Sequence, residues 1–185
     1  MMMKTKTAIL LFLFLAVIQL TVPLYMTWHW EDVLKNGHQF YWATAPVDPY
    51  DALKGRYIDL HFKEMSGPIL DGSDFAHGQT AYAVIGERRD NKAYIQGIRA
   101  NRPAGEPFLR VKVLYVKKDQ DQAFVIVPFK RYYLPEDVAP AAETAYRTSA
   151  GKDGVALVRI KDGYGVVEQL YIGDKTLLDV LRERK

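Results

Sequence analysis

Val155-Ala156-Leu157-Val158-Arg159-Ile160 and Val166-Val167-Glu168-Gln169-Leu170-Tyr171-Ile172 flank Lys161-Asp162-Gly163. Two runs rich in β-branched and aromatic residues, separated by an Asp-Gly dipeptide that favours a tight turn, predict a β-hairpin. Working outward, the same pattern recurs. Thr80 to Glu87 and Lys92 to Ala100 flank Arg88-Arg89-Asp90-Asn91, and Leu109 to Val116 and Gln122 to Tyr133 flank Lys117-Lys118-Asp119-Gln120-Asp121, predicting two more hairpins. In the run from Gln122 to Tyr133 both faces are apolar, Phe124 and Ile126 against Val125 and Val127, which places it centrally in a sheet. Arg56 to Met65 alternates, with Ile58, Leu60 and Phe62 on one face and Tyr57, Asp59, His61 and Lys63 on the other. Residues 66–79 are rich in turn formers and read as a surface loop.

Two helices interrupt these strands. Pro135-Glu136-Asp137 opens one that continues from Ala141 to Ala150 and stops at Gly151, with Pro140 as an alternative start. Asp174 is suited to cap the other, which carries Leu177, Leu178, Val180 and Leu181 on one stripe. The predicted fold class is α+β, mainly β: one N-terminal transmembrane helix, then a mostly antiparallel β-rich domain, a curled sheet or small barrel, with two short helices.

The transmembrane helix is read from Thr7 to Trp30, where no Asp, Glu, Lys or Arg occurs, and from the unbroken apolar run Ala8 to Ile18. A helix over residues 7–28 rises about 33 Å, close to the hydrocarbon thickness of a bilayer, so membrane lipid is its expected surrounding. Tyr25, Trp28 and Trp30 then fall at headgroup level. A cleavable signal peptide shares this pattern, but Ile18-Gln19-Leu20-Thr21-Val22 contains no small-x-small cleavage pair, which favours retention. Lys4 and Lys6 precede the helix, and Glu31 and Asp32 follow it. The expected topology is a cytoplasmic N-terminus and an extracytoplasmic remainder. The chain divides into a cytoplasmic tip and anchor at 1–30, a connecting stalk at 31–54 marked by Pro46 and Pro49, and a β-rich domain at 55–185. Within the stalk, Glu31 to Lys35 could form a short helix, stopped by Gly37.

Composition narrows the function. The absence of cysteine excludes a disulfide framework, Cys-ligated metal and a thiol nucleophile. Taking Lys4 and Lys6 from the 25 basic residues leaves 23 against 22 acidic ones, a balance that argues against nucleic acid as a partner. His29, His38, His61 and His77 are scattered without metal-ligand spacing, and Ser66, Ser73 and Ser149 lie in no activated-nucleophile context. Asp71, Asp74 and His77 share a loop but lack the ligand series of a calcium site. No cofactor, metal site or catalytic residue is therefore assigned, and the sequence leans towards a non-enzymatic role.

Gly55-Arg56-Tyr57-Ile58-Asp59-Leu60-His61-Phe62, preceded by Ala45-Pro46-Val47-Asp48-Pro49, resembles the bacterial family named for its GDYxxLxY motif. Arg131-Tyr132-Tyr133-Leu134-Pro135-Glu136 with Glu143 after it, and Gly165 to Asp174, carry the likeness along nearly the whole chain. Arg56 stands where the motif has Asp, and Phe62 where it has the final Tyr, so this position is not the heart of a shared reaction. The resemblance implies no established activity. It implies a single helix in a bacterial cytoplasmic (inner) membrane with the domain in the periplasm, and a polytopic membrane protein as partner, since such proteins are commonly encoded beside the family.

The candidate binding residues are Tyr57, Asp59, His61, Arg131, Tyr132, Tyr133, Glu136 and Glu143. Tyr57, Asp59 and His61 at alternate positions would line a groove on one sheet face, while Leu60 and Phe62 serve the core. Arg131, the two tyrosines and Glu136 would meet at a strand-to-helix corner, either to bind an anionic or sugar-like ligand or to fix the corner by an ion pair. The leading expectation is an envelope interaction module, with the ligand left open. The alternatives are a small-ligand sensor with a closed pocket, and a hydrolase or carbohydrate-modifying enzyme using Glu136 or Glu143 with Asp59 and His61, which needs paired carboxylates in one cleft.

Overall fold

A computed structural model describes residues 2–45, 57–136, 138–149 and 152–183. In chain order its elements are α1 (Met2–Asn36), β1 (His38–Ala43), β2 (Tyr57–Asp59), β3 (Ser66–Pro68), β4 (Thr80–Glu87), β5 (Ala93–Arg99), β6 (Phe108–Lys117), β7 (Gln122–Ile126), β8 (Arg131–Tyr133), α2 (Ala139–Ser149), β9 (Gly154–Lys161), β10 (Tyr164–Ile172), β11 (Lys175–Thr176) and α3 (Leu177–Glu183).

Helix α1 passes through Pro23 without ending. Thr21 and Thr27 donate their hydroxyls to the carbonyls of Val17 and Pro23, at 2.7 and 3.0 Å, so neither leaves a bare polar group on the apolar surface. None of its most apolar window is buried by the rest of the chain. The last two turns behave differently. Val33 is 1% exposed, and Lys161 Nζ reaches Asp32 Oδ2 at 2.7 Å. Gly37 then stops the helix: its N–H donates to the Val33 carbonyl at 2.9 Å, and a Cβ would collide with that same oxygen.

Strand β1 follows at once and pairs antiparallel with β9 from His38↔Ile160 to Ala43↔Val155, in a sheet ordered β1-β9-β10-β11. The hairpin between β9 and β10 turns through Asp162 at φ 52° and Gly163 at φ 88°, the left-handed pair a tight turn requires. A bulge at Glu168 directs that carboxylate to Arg159, whose guanidinium also donates to Gly37 O at 3.2 Å. The second sheet runs β3-β7-β6-β4-β5 and is entirely antiparallel. It curls until its edges nearly meet: Ile69 bridges Ile98, and Leu70 N–H donates to Ile98 O at 2.9 Å. Arg110 N–H donates to Gly163 O at 2.9 Å and ties the two sheets together. Between them Trp42, Phe62 and Phe129 interlock, with ring centroids 5.4 to 5.8 Å apart. Such aromatic pairs contribute about 0.5–1.5 kcal/mol each beyond the area they bury. Helix α2 buries Ala139, Ala142, Ala145 and Tyr146, and α3 buries Leu177.

The mainly antiparallel β-rich class, the nearly closed sheet, the apolar N-terminal helix and two short helices agree with the sequence reading. Several local expectations change. Glu31 to Asn36 continue α1, and residues 38–43, read as connection, form β1 with Phe40 and Trp42 buried. The prolines Pro46 and Pro49 and the motif residues Gly55 and Arg56 lie outside the described residues. The expected strand from Arg56 to Met65 is only β2, because its chain leaves the ribbon after Asp59 and Phe62 instead bridges Thr44. The run from Gln122 to Tyr133 splits into β7 and β8, in different sheets, with Pro128 between them. The loop at 66–79 contains β3 and buries Ile69 and Phe75. Helix α2 begins at Ala139, near the alternative start at Pro140. Thr176, not Asp174, caps α3: its hydroxyl accepts the Asp179 N–H at 3.2 Å and donates to Asp179 Oδ2 at 2.6 Å.

Candidate functional site

The ribbon of β2 and β8 sorts its residues by face. Tyr57 lies opposite Tyr133 and Asp59 opposite Arg131, while Ile58 lies opposite Tyr132. Directly paired residues share a face and alternate along the strand. Ile58 and half-buried Tyr132 therefore take the inner side, where the Tyr132 hydroxyl donates to Gln169 Oε1 at 3.3 Å and burial pushes its phenol pKa up. Tyr57, Asp59, Arg131 and Tyr133 take the outer side. Leu60 N–H donates to Lys130 O at 2.7 Å, and with Leu60 and Leu134 both buried the ribbon is fixed at its ends.

On the outer face the Arg131 guanidinium lies 4.4 Å from the centre of the Tyr57 ring, and the Tyr57 and Tyr133 rings are 5.9 Å apart. Asp59 Oδ1 comes to 3.8 Å of Arg131 Nε, beyond hydrogen-bond length. A hydrogen bond with Tyr133, then the neighbouring Tyr57 and Asp59 oxygens, hold the guanidinium pKa above its ordinary value. Arg131 is thus a permanent cation framed by two phenols.

Two grooves meet at this ribbon. The first, about 670 Å³, has Phe129, Val166 and Val167 along its floor and Asp59, Lys130 to Tyr133 and Trp30 at its sides. Trp30 is the important member, since it brings the end of α1 into the wall. It packs against Tyr164 at 5.9 Å between ring centres, beside His29 against the same ring at 4.4 Å. The second groove, about 490 Å³, is lined by Leu60, His61, Met65, Leu114, Phe124 and neighbours, and shares Asp59, Val127 and Lys130 with the first.

The structure brings together four of the eight expected residues: Tyr57, Asp59, Arg131 and Tyr133. His61 turns into the second groove, because its backbone carbonyl is held by Ala45 N–H at 2.8 Å and the strand alternation has ended. Glu136 stands exposed on the turn after β8, Glu143 sits on α2, and neither lines either groove. The carboxylate pairing with Asp59 that a glycosidase would use is therefore not formed in these grooves. Among the described residues no cluster of His, Asp and Glu could hold a metal ion. Sequence reasoning missed Trp30, Lys130 and the Phe129 floor as groove residues. The Lys130-Arg131 pair directly before two tyrosines was the available signal; no local pattern announces that Trp30 meets them. A family profile described as GDYXXLXY protein matches residues 19–170. No curated protein and no solved structure matches the chain.

Proposed function

The chain belongs to the GDYXXLXY protein family, and on that footing we propose that it is a single-pass, non-enzymatic binding module of the bacterial cell envelope. It stays anchored in the cytoplasmic membrane by residues 7–28, with its β-rich domain on the outer side, and works beside another membrane protein. The observation that carries this reading is the continuity of α1. An apolar surface that the domain leaves uncovered runs without a break into turns that are part of the domain's own packing, through Val33, Asp32 and the His29 and Trp30 rings on Tyr164. A helix joined in this way sets the domain's height and tilt at the membrane, which suits recognition at the bilayer surface.

Two measurements test it. Alkaline carbonate should leave the protein in the membrane pellet with its original N-terminus. A photo-crosslinking residue at Leu15 or Val22, both exposed on α1, should give a discrete adduct with a second membrane protein. A soluble mature chain starting beyond Leu24 sinks the anchor; adducts with lipid and self alone sink the partner.

A further inference from the structure

The groove beside Trp30 lies at a depth that the helix itself sets. A hydrocarbon core of about 30 Å takes up about 20 helical residues. Counted from Thr7, the apolar layer ends near Met26, and Trp28, His29 and Trp30 fall in the next turn, within the headgroup layer. The exposed Trp28 ring and the partly exposed Trp30 and Tyr164 rings are the residues that settle there. Since Trp30 is a wall of the groove, the groove opens in the same layer.

Its chemistry matches what that layer contains. Arg131 offers a planar fork suited to a phosphate, with Tyr133 hydrogen-bonded to it and Asp59 Oδ1 3.8 Å from its inner nitrogen, Nε. Lys130 is exposed and makes no ion pair among the described residues, so the two cations outnumber Asp59 at the rim. Tyr133, 67% exposed, adds a phenol at the mouth. The side chains of Phe129, Val166 and Val167 are apolar and would accept glycerol carbons.

We propose that this groove binds the phosphate-bearing headgroup of an anionic phospholipid of the surrounding bilayer, with Lys130 and Arg131 on the phosphate and the acyl chains left in the membrane beside α1. The assignment rests on the membrane-anchored reading above. Lipid binding would fix the domain's orientation through a second contact besides the helix.

The test uses the full chain, purified in detergent and given phosphatidylglycerol or phosphatidylcholine in equal amounts, with bound lipid counted by native mass spectrometry. Phosphatidylglycerol should be retained in preference, and Lys130→Gln with Arg131→Gln should lower its occupancy at least about fivefold, as expected for loss of charge-assisted contacts. Lys117→Gln with Lys118→Gln removes equal charge at a hairpin tip whose two lysines line neither groove, and should leave occupancy unchanged. Lys130→Gln alone removes no ion pair, so its partial loss reports on binding even if the double variant is unstable. Equal retention of both lipids, or equal loss in the two double variants, overturns the proposal. Displacement by millimolar inorganic phosphate also overturns it, assigning the groove to a free anion. Carbonate extraction of the membranes from which each variant is purified separates failure of this site from failure of the anchor.

Discussion

Tyr146 shows how a single residue can carry a pH dependence. Its side chain is fully buried, its hydroxyl finds no well-formed hydrogen bond, and burial pushes its pKa up to about 12, with the neighbouring Thr44 hydroxyl acting in the opposite direction. The folded-state value lies above the unfolded one near 10, so its contribution is fully present below pH 10 and is lost as pH rises towards 12. The loss reaches about 2–3 kcal/mol over that window. Tyr146→Phe should flatten the alkaline fall in stability followed by circular dichroism, and should leave the neutral-pH Tm unchanged or raised, because it deletes an unsatisfied buried hydroxyl. Gly165 makes the opposite point. A Cβ there would stand 2.6 Å from the Phe129 ring and 2.9 Å from Leu109 Cδ2, so Gly165→Ala should cost about 1–3 kcal/mol in urea unfolding.

At the scale of elements, the short helix α3 depends on its cap. Thr176→Ala should cost about 1 kcal/mol, whereas Asp174→Ala, the substitution suggested by sequence alone, should fall within the scatter of surface changes. Both are read as shifts in urea midpoint. The junction of α1 with β9 and β10 is the other element whose packing can be tested by a single substitution. Val33→Asp places an unpaired carboxylate where there is almost no solvent, and should reduce stability by several kcal/mol while leaving membrane retention intact. The split between lost domain stability and unchanged carbonate resistance separates the two roles of one helix.

For the whole molecule, the uncovered apolar part of α1 and the part packed against the domain should be separable by truncation. A chain beginning at Thr27 keeps Val33, Asp32 and the Tyr164 contacts and should be soluble and cooperatively folded. One beginning at Gly37 loses them and should be less stable by about 2–4 kcal/mol, chiefly from re-exposing the surface Val33 covered. Equal thermal midpoints for the two would mean that the junction is a mere tether.

The hairpins were legible in the sequence because turn chemistry and side-chain alternation are local: Asp162-Gly163 and Asn91 dictate their own left-handed backbone whatever lies beyond them. The apolar run of α1 was legible for the same reason, as was the burial of Ile58, Leu60 and Phe62. Strand β1 was not, since its partner β9 lies more than a hundred residues away and Pro46 and Pro49 close by suggest irregular chain. Nor was the division of residues 122–133 between two sheets. The tertiary structure alone decided that four scattered polar residues share one face, that His61, Glu136 and Glu143 do not join them, and that Trp30 supplies a wall. Those relations come from long-range strand pairing and helix docking, whose energy lies in contacts between distant segments and leaves no trace in the neighbours of any one residue.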